Sequence, residues 1–390
     1  MIKLKKVLSD FNFDNKRVIL RCDLNVPITN GIIEDDTRII ESLKTIKYLI
    51  DKNAKVIILS HLGRVKTEED KKDNSLYPVY LRLRDLLGDN VCFSKYTSGN
   101  KLKELVNTLR TGEILLVENT RFEDIDGKKE SSCDLELSKY WASLGDIFVN
   151  DAYGVCHRSH ASNVGISKFL PSCLGLLVEE EIEKIDGIIK ENTSPYILLM
   201  GGKKISDKTL VIESLIEKCD YILLGGGMCF TFLASLGINV GMSIVDKDNI
   251  PFCKEILSKY KDKIILPVDV KLKSEEIKDI DKLTNEDIAY DIGPKTIELF
   301  KKYLSTAHRV VANGPMGVFE EKEFTNGTRE LYNYLSQNSI KTLIGGGDSI
   351  SAINTLHINK NFYHISTGGG ATLEYIAQDT LPAIEAIEDK

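Results

Sequence analysis

No C-x-x-C pair, no tight zinc spacing among the cysteines and no surplus of basic charge occur in this chain. Its 51 lysines and arginines face 58 acidic residues, a formal net charge of −7. A whole-molecule basic field for nucleic acid or anionic lipid is thereby excluded. Cys22, Cys92, Cys133, Cys156, Cys173, Cys219, Cys229 and Cys253 are scattered over 390 residues rather than gathered in one small scaffold. They read as reduced thiols packed as small hydrophobes. Behind the lysines of Met1 to Asp10 no apolar run follows, so this stretch is no secretory signal. Charge is missing from Tyr221 to Val245, long enough to cross a bilayer. Five glycines interrupt it and no basic anchors sit right beside both ends, which favours a buried strand, a glycine turn and a buried helix. No solenoid period or low-complexity segment is present. These absences describe a soluble, cytoplasmic protein with neither membrane nor bulk nucleic acid as partner.

What is present is an alternation. Short apolar runs recur at Val18–Leu20, Val56–Leu59, Ile114–Val117, Ile147–Val149, Ile197–Leu199, Ile222–Leu224, Ile264–Leu266, Val310–Val311 and Leu343–Ile344. Between them lie helical patterns such as Thr37–Leu49, Leu135–Leu144 and Asp207–Cys219. Continuous apolar runs suit strands buried on both faces, so an α/β architecture with mainly parallel sheets is expected. An acidic run, Glu179 to Glu183, opens a helix over Val178–Lys190. It is either a solvated helix face or the link between two lobes.

The loops after the strands differ between the halves. Nine of the eleven arginines precede residue 191, whereas 17 of the 28 glycines follow it. Arginine forks bind small anions, and glycine loops lay backbone N–H groups against phosphates. In Arg21-Cys22-Asp23-Leu24-Asn25-Val26-Pro27, Asp23 and Asn25 either cap a turn beside the proline or accept hydrogen bonds from substrate hydroxyls. Ser60-His61-Leu62-Gly63-Arg64 joins a histidine, a glycine and an arginine at one strand end, a pattern for anions. The segment Asp151 to Ser162 carries His157, Arg158 and His160; the histidines alone lack a third zinc ligand at usual spacing, and phosphate or carboxylate contact is the better reading.

In Gly201-Gly202-Lys203-Lys204-Ile205-Ser206-Asp207-Lys208, Ser206 is the candidate N-cap and Lys208 falls in the first helical turn. A lysine there opposes the helix dipole, which argues for a compensating anion. Gly345-Gly346-Gly347-Asp348-Ser349 also precedes a helical pattern. Its lone carboxylate either caps the helix or suits Mg²⁺ beside a phosphate nest. Neither G-x-x-x-x-G-K-[ST] nor G-x-G-x-x-G occurs, which weakens P-loop and dinucleotide readings. The arginines stand singly at strand ends, which weakens a nucleic-acid-binding reading.

With RCDLNVP, DDTRI, LSHLGR, ENTRF, DAYGVCHRSHAS, GGKKISDK, LLGGGM, DIGPKT, NGPMGVFE, IGGGDS and STGGGATLE in order, the chain resembles the phosphoglycerate kinase family over essentially its whole length. The resemblance implies reversible phosphoryl transfer between 1,3-bisphosphoglycerate and ADP, giving 3-phosphoglycerate and Mg·ATP. It implies two doubly wound, Rossmann-like lobes joined by a connecting helix. Residues 1–173 plus 378–390 are expected to form the 3-phosphoglycerate lobe, 174–192 the connector and 193–377 the nucleotide lobe. Carried over, Asp23, Asn25, Arg38, His61, Arg64, Arg121 and Arg158 match the 3-phosphoglycerate site, with His160 close by. Lys204 and Lys208 match the phosphate-contacting lysines, and Glu320 the ribose contact. Gly346, Gly347, Asp348 and Ser349 match the nucleotide-phosphate and Mg²⁺ loop, and Gly293 and Asn313 fall in nucleotide-side motifs. Arg38 and Lys208 are expected to reach the transferring phosphoryl from opposite lobes of a closing cleft, with Asp348 holding the metal. A monomer acting on small molecules is expected. Three positions depart from the family pattern: Lys203 for a small residue, Ala312 for tryptophan and Val65 for proline.

Overall fold

A computed structural model describes residues 4–390. Two compact units emerge: residues 1–182 with 380–390, and residues 183–379.

Unit 1 is built on six strands, β1 (Arg17–Cys22), β2 (Lys55–Leu59), β3 (Val91–Ser94), β4 (Ile114–Val117), β5 (Ile147–Asp151) and β6 (Ser172–Leu174). They run parallel in the order β3-β4-β2-β1-β5-β6. Val18, Ile19 and Leu20 of β1 pair with Val56, Ile57 and Ile58 on one side and with Ile147, Phe148 and Val149 on the other. All six of these partners and their β1 counterparts are buried, as strands covered by helices on both faces require. Helix α1 (Thr37–Asp51) buries Ile39, Leu43, Ile46 and Leu49 at three- and four-residue spacing against this sheet. Strand order reverses beside β1, so the carboxyl ends of β1, β2 and β5 open onto a crevice.

Residues 380–390 complete unit 1. Lys6 N–H donates to the Glu388 carbonyl at 2.9 Å, Lys390 N–H to the Leu4 carbonyl at 2.8 Å and Ala383 N–H to the Cys156 carbonyl at 3.0 Å. Leu381, Ile384 and Ile387 are buried. Helix α2 (Leu176–Ile189) runs from one unit into the other. Its first turn is held by the buried Asp151 carboxylate, which accepts the Leu177 N–H at 2.9 Å.

Unit 2 repeats the plan with β7 (Tyr196–Met200), β8 (Tyr221–Leu224), β9 (Ile264–Ile265), β13 (Arg309–Asn313), β14 (Lys341–Gly345) and β15 (His364–Ile365), parallel in the order β9-β8-β7-β13-β14-β15. The uncharged stretch holds strand β8, a glycine turn and the buried helix Met228–Ser235, followed over 236–245 by irregular backbone with Leu236 and Met242 exposed. No helix among the described residues is long and apolar enough to cross a membrane. A small antiparallel sheet of β10 (Asp269–Leu272), β11 (Ile277–Asp279) and β12 (Ala289–Ile292) adds to unit 2. The eight cysteines are unpaired thiols, six of them buried.

Candidate active site

In unit 1 the strand ends gather cations around two histidines. Arg21, the penultimate residue of β1, is fully buried; its Nε donates to Ser162 Oγ at 2.8 Å and its Nη1 to the Cys22 carbonyl. Ser162 in turn donates through Oγ (2.6 Å) and its backbone N–H (3.0 Å) to the buried Glu130 carboxylate. Asp23 holds Arg38 Nη1 at 2.8 Å, and the same Nη1 reaches the Asn25 carbonyl at 3.2 Å. Asp23 also receives the Asn25 N–H at 3.3 Å, so the turn cap is formed, and the Asn25 side chain accepts the Gly63 N–H at 2.9 Å. Asp23 therefore holds the Arg38 side chain of α1, and Asn25 braces the loop that carries His61 and Arg64.

Arg121 donates through Nη1 to Asp124 (2.8 Å) and Ser131 (2.9 Å), while its Nη2 lies 3.4 Å from His160 Nε2. His61 is buried, with Nδ1 3.9 Å from Asp23 and no hydrogen-bond partner. Burial first, then Arg21, Arg121, Arg38 and Arg158, hold its pKa well below the ordinary value. The same causes, led by burial and Arg121, push His160 down to about 2. Two neutral imidazoles thus stand among four arginines, a surface suited to an anion. Arg64 and Arg158 are exposed, and Arg158 Nε meets His157 Nε2 at 3.2 Å. His157 and His160 accordingly face different partners, and among the described residues no group of three metal-ligating side chains occurs.

In unit 2 a cavity of about 690 Å³ lies at the strand ends near the reversal between β7 and β13. Gly202, Gly226 and Gly227 line it with backbone, and Phe230, Met242 and Ile244 with apolar surface; Glu320 and Asp348 add exposed carboxylates. The Lys208 side chain is buried, and its ammonium lies 3.2 Å from the point where a Cβ on Gly202 would stand. No carboxylate among the described residues lies within ion-pair distance of it, and burial lowers its pKa against the pull of Asp207 and Asp348. Lys203 lines the cavity and Lys204 is exposed.

The Gly346–Ser349 loop leads into helix α3 (Gly347–Thr355), with Asp348 in its first turn. Gly346 takes φ +89°, and a Cβ there would sit 2.7 Å from Asn313 Nδ2, a buried amide nitrogen with no partner. Gly347 has open space above it. The Ser349 hydroxyl instead turns inward and accepts the Gly314 N–H at 2.7 Å. Gly293 stands apart from the cavity lining: a Cβ on it would fall 2.3 Å from the Asp269 carboxylate, which receives the N–H groups of Lys295 (3.0 Å) and Thr296 (2.7 Å) at the start of helix Pro294–Leu304. Ser206 is not the N-cap. The helix begins at Thr209 with Lys208 at its cap position, because buried Ile205 accepts the Lys208 N–H at 2.8 Å and closes a turn first. The departures are accommodated: Ala312 and Val65 are buried, and Lys203 is exposed. The roles of Glu130 and of the apolar wall left no sequence signal, since a glutamate in Lys-Lys-Glu-Ser-Ser reads as surface and Phe230 as core.

The model of the phosphoglycerate kinase family matches residues 8–379 of this chain. The chain belongs to the phosphoglycerate kinase family. Among curated relatives, phosphoglycerate kinase of Macrococcus caseolyticus is 49% identical over 395 residues, covering 99% of this chain and all of the relative. That of Fusobacterium nucleatum is 48% identical over 398 residues with the same coverage. Among solved structures, phosphoglycerate kinase from Coxiella burnetii superposes with a TM-score of 0.86 at 34% identity, covering 98% of both chains. The enzyme from Pyrococcus horikoshii gives 0.84 at 34% identity, covering 97% of this chain and 98% of that one.

Proposed function

We propose that this chain is the glycolytic phosphotransferase that moves a phosphoryl group between 1,3-bisphosphoglycerate and ADP, giving 3-phosphoglycerate and ATP. The observation that carries the reading is Lys208: a largely buried side chain whose ammonium has no carboxylate partner among the described residues, beside a cavity lined by Asp291, Glu320, Asp348 and exposed backbone. Such a charge is tolerated where an incoming anion completes it. Unit 2 takes the nucleotide, with base against Phe230, Met242 and Ile244, ribose toward Glu320, and phosphates toward Lys204, Lys208, Asn313 and the Gly346–Gly347 backbone. Unit 1 takes the glycerate and its phosphate on Arg38, His61, Arg64, Arg121 and Arg158, with Asp23 and Asn25 at the hydroxyl.

An ionised carboxylate is already a nucleophile, so the chain supplies position and charge rather than a base. Arg38 and Lys208 meet the transferring phosphoryl from separate units, so turnover requires the units to bring them together and exclude water. Asp348, a lone exposed carboxylate beside helix N–H groups, fits Mg²⁺, which draws most of its oxygens from phosphate and water. Bound with the nucleotide, Mg²⁺ neutralises charge across the phosphates. The same reading has the enzyme act in the cytoplasm, where the glycolytic substrates lie, and as a monomer, since each unit carries its own ligand surface. A coupled assay with 3-phosphoglycerate and MgATP, then MgGTP, tests it. ADP formation dependent on 3-phosphoglycerate is expected; its absence with both nucleotides overturns the assignment.

A further inference from the structure

Three groups from three places in the unit 2 fold meet behind the nucleotide loop. Gly314 follows strand β13, Ser349 lies in the first turn of α3, and Tyr332 lies on helix α4 (Asn326–Gln337). Ser349 Oγ accepts the Gly314 N–H at 2.7 Å. Tyr332 Oη is 3.1 Å from the Gly314 carbonyl and 3.3 Å from Ser349 Oγ. The phenol therefore donates toward both the Gly314 carbonyl and Ser349 Oγ, with the Gly314 carbonyl the nearer acceptor. The result is a three-cornered cluster in which the Gly314 N–H donates to Ser349 Oγ and the Tyr332 hydroxyl bridges Ser349 Oγ and the Gly314 carbonyl.

The cluster sits where its geometry matters. Ser349 and Tyr332 are both buried, so these hydrogen bonds are shielded from solvent. Burial also holds the phenol up at about 12, which keeps it a donor across the physiological range. Gly314 has φ +88°, and a Cβ there would stand 2.4 Å from the Gly201 carbonyl, so this residue is already wedged against the loop after β7. Asn313 precedes it and Asp348 precedes Ser349 in the chain. Fixing Gly314 to Ser349 therefore fixes the Asn313 amide against the Gly346–Asp348 backbone.

We propose that Tyr332 and Ser349 are positioning residues of the nucleotide-phosphate site. They set where the N-terminus of α3 presents Asp348 and the N–H groups of Gly346 and Gly347, and neither side chain touches the nucleotide. This deepens the nucleotide reading of unit 2 and rests on it.

Calorimetric titration of the full chain with MgADP, and separately with 3-phosphoglycerate, provides the test. Tyr332→Phe keeps the ring's volume and removes one oxygen; Ser349→Ala removes the opposite corner. Each is expected to weaken MgADP binding about three- to tenfold, the scale of one or two neutral hydrogen bonds, while leaving 3-phosphoglycerate affinity within about twofold. The double variant is expected to fall short of the product of the two single effects, since both substitutions break the same Tyr332–Ser349 contact. A change in MgADP affinity below about threefold in a folded single variant overturns the proposal. So does an equal loss of 3-phosphoglycerate affinity, or a double variant that reaches the full product. Wild-type chain that binds no MgADP removes the nucleotide reading itself, whereas binding that ignores both substitutions removes only the positioning role.

Discussion

Lys208 shows what one side chain costs and supplies. Its side chain is largely buried and its ammonium has no ion pair among the described residues, so the fold carries a desolvation penalty on that charge. Lys208→Met is expected to leave stability in urea unchanged or higher while lowering kcat by about 10²–10³, the loss typical of one preorganised charge-stabilising donor. A variant that is slow because it is also destabilised by more than about 1 kcal/mol would contradict this account. His160 makes the complementary case in unit 1. Held neutral down to about 2 in the fold, it protonates near its ordinary 6.5 when unfolded. The unfolded state therefore binds the extra proton between those values, and stability falls as pH drops below 6.5. His160→Asn should flatten that acid limb by on the order of 1 kcal/mol per pH unit in denaturant titrations between pH 6 and 4. Parallel curves for the two proteins would refute it.

Among the elements, the nine apolar runs all lie in parallel strands; eight are buried throughout, an environment that a continuous run signals directly, and Ile264–Leu266 at the edge strand β9 is partly exposed. Strands β3, β6, β15 and the antiparallel β10–β12 left weaker traces. They are short or half exposed, as Cys92 on β3 and Ile277 on β11 illustrate, so no unbroken apolar run marks them. The arginine–glycine split was legible, but its glycine half has a second cause. A Cβ on Gly201 would meet the Pro315 carbonyl at 2.2 Å and one on Gly225 the Met316 sulfur at 2.5 Å. Many of these glycines thus let strand-end loops pack on one another, whereas Gly347 faces open space, Gly202 the Lys208 ammonium and Gly346 the Asn313 amide. Spacing cannot distinguish the two uses. Gly293 belongs to the packing class: Gly293→Ala should displace the Asp269 cap and lower stability by about 1–3 kcal/mol, with the nucleotide KM changed less than twofold. A raised KM at unchanged stability would return Gly293 to the binding site.

At the scale of the molecule, unit 1 is assembled from both ends of the chain. Deleting Thr380–Lys390 strips Leu381, Ile384 and Ile387 from its interior, at about 1.5–3 kcal/mol for each side chain. Calorimetry on the truncated chain should show MgADP binding retained and 3-phosphoglycerate binding lost; retention of both would mean that the returning segment is dispensable. Vectorial synthesis turns this topology into a schedule. The ribosome finishes the strands of unit 1 early, yet must make residues 183–379 before the segment that seals them appears. At roughly 5–20 residues per second, that is a delay on the order of 10–40 s. The unit encoded second can therefore close first. During that interval, the strip of unit 1 that will receive the tail is an uncovered nascent surface, and it is there that a chaperone would find its client.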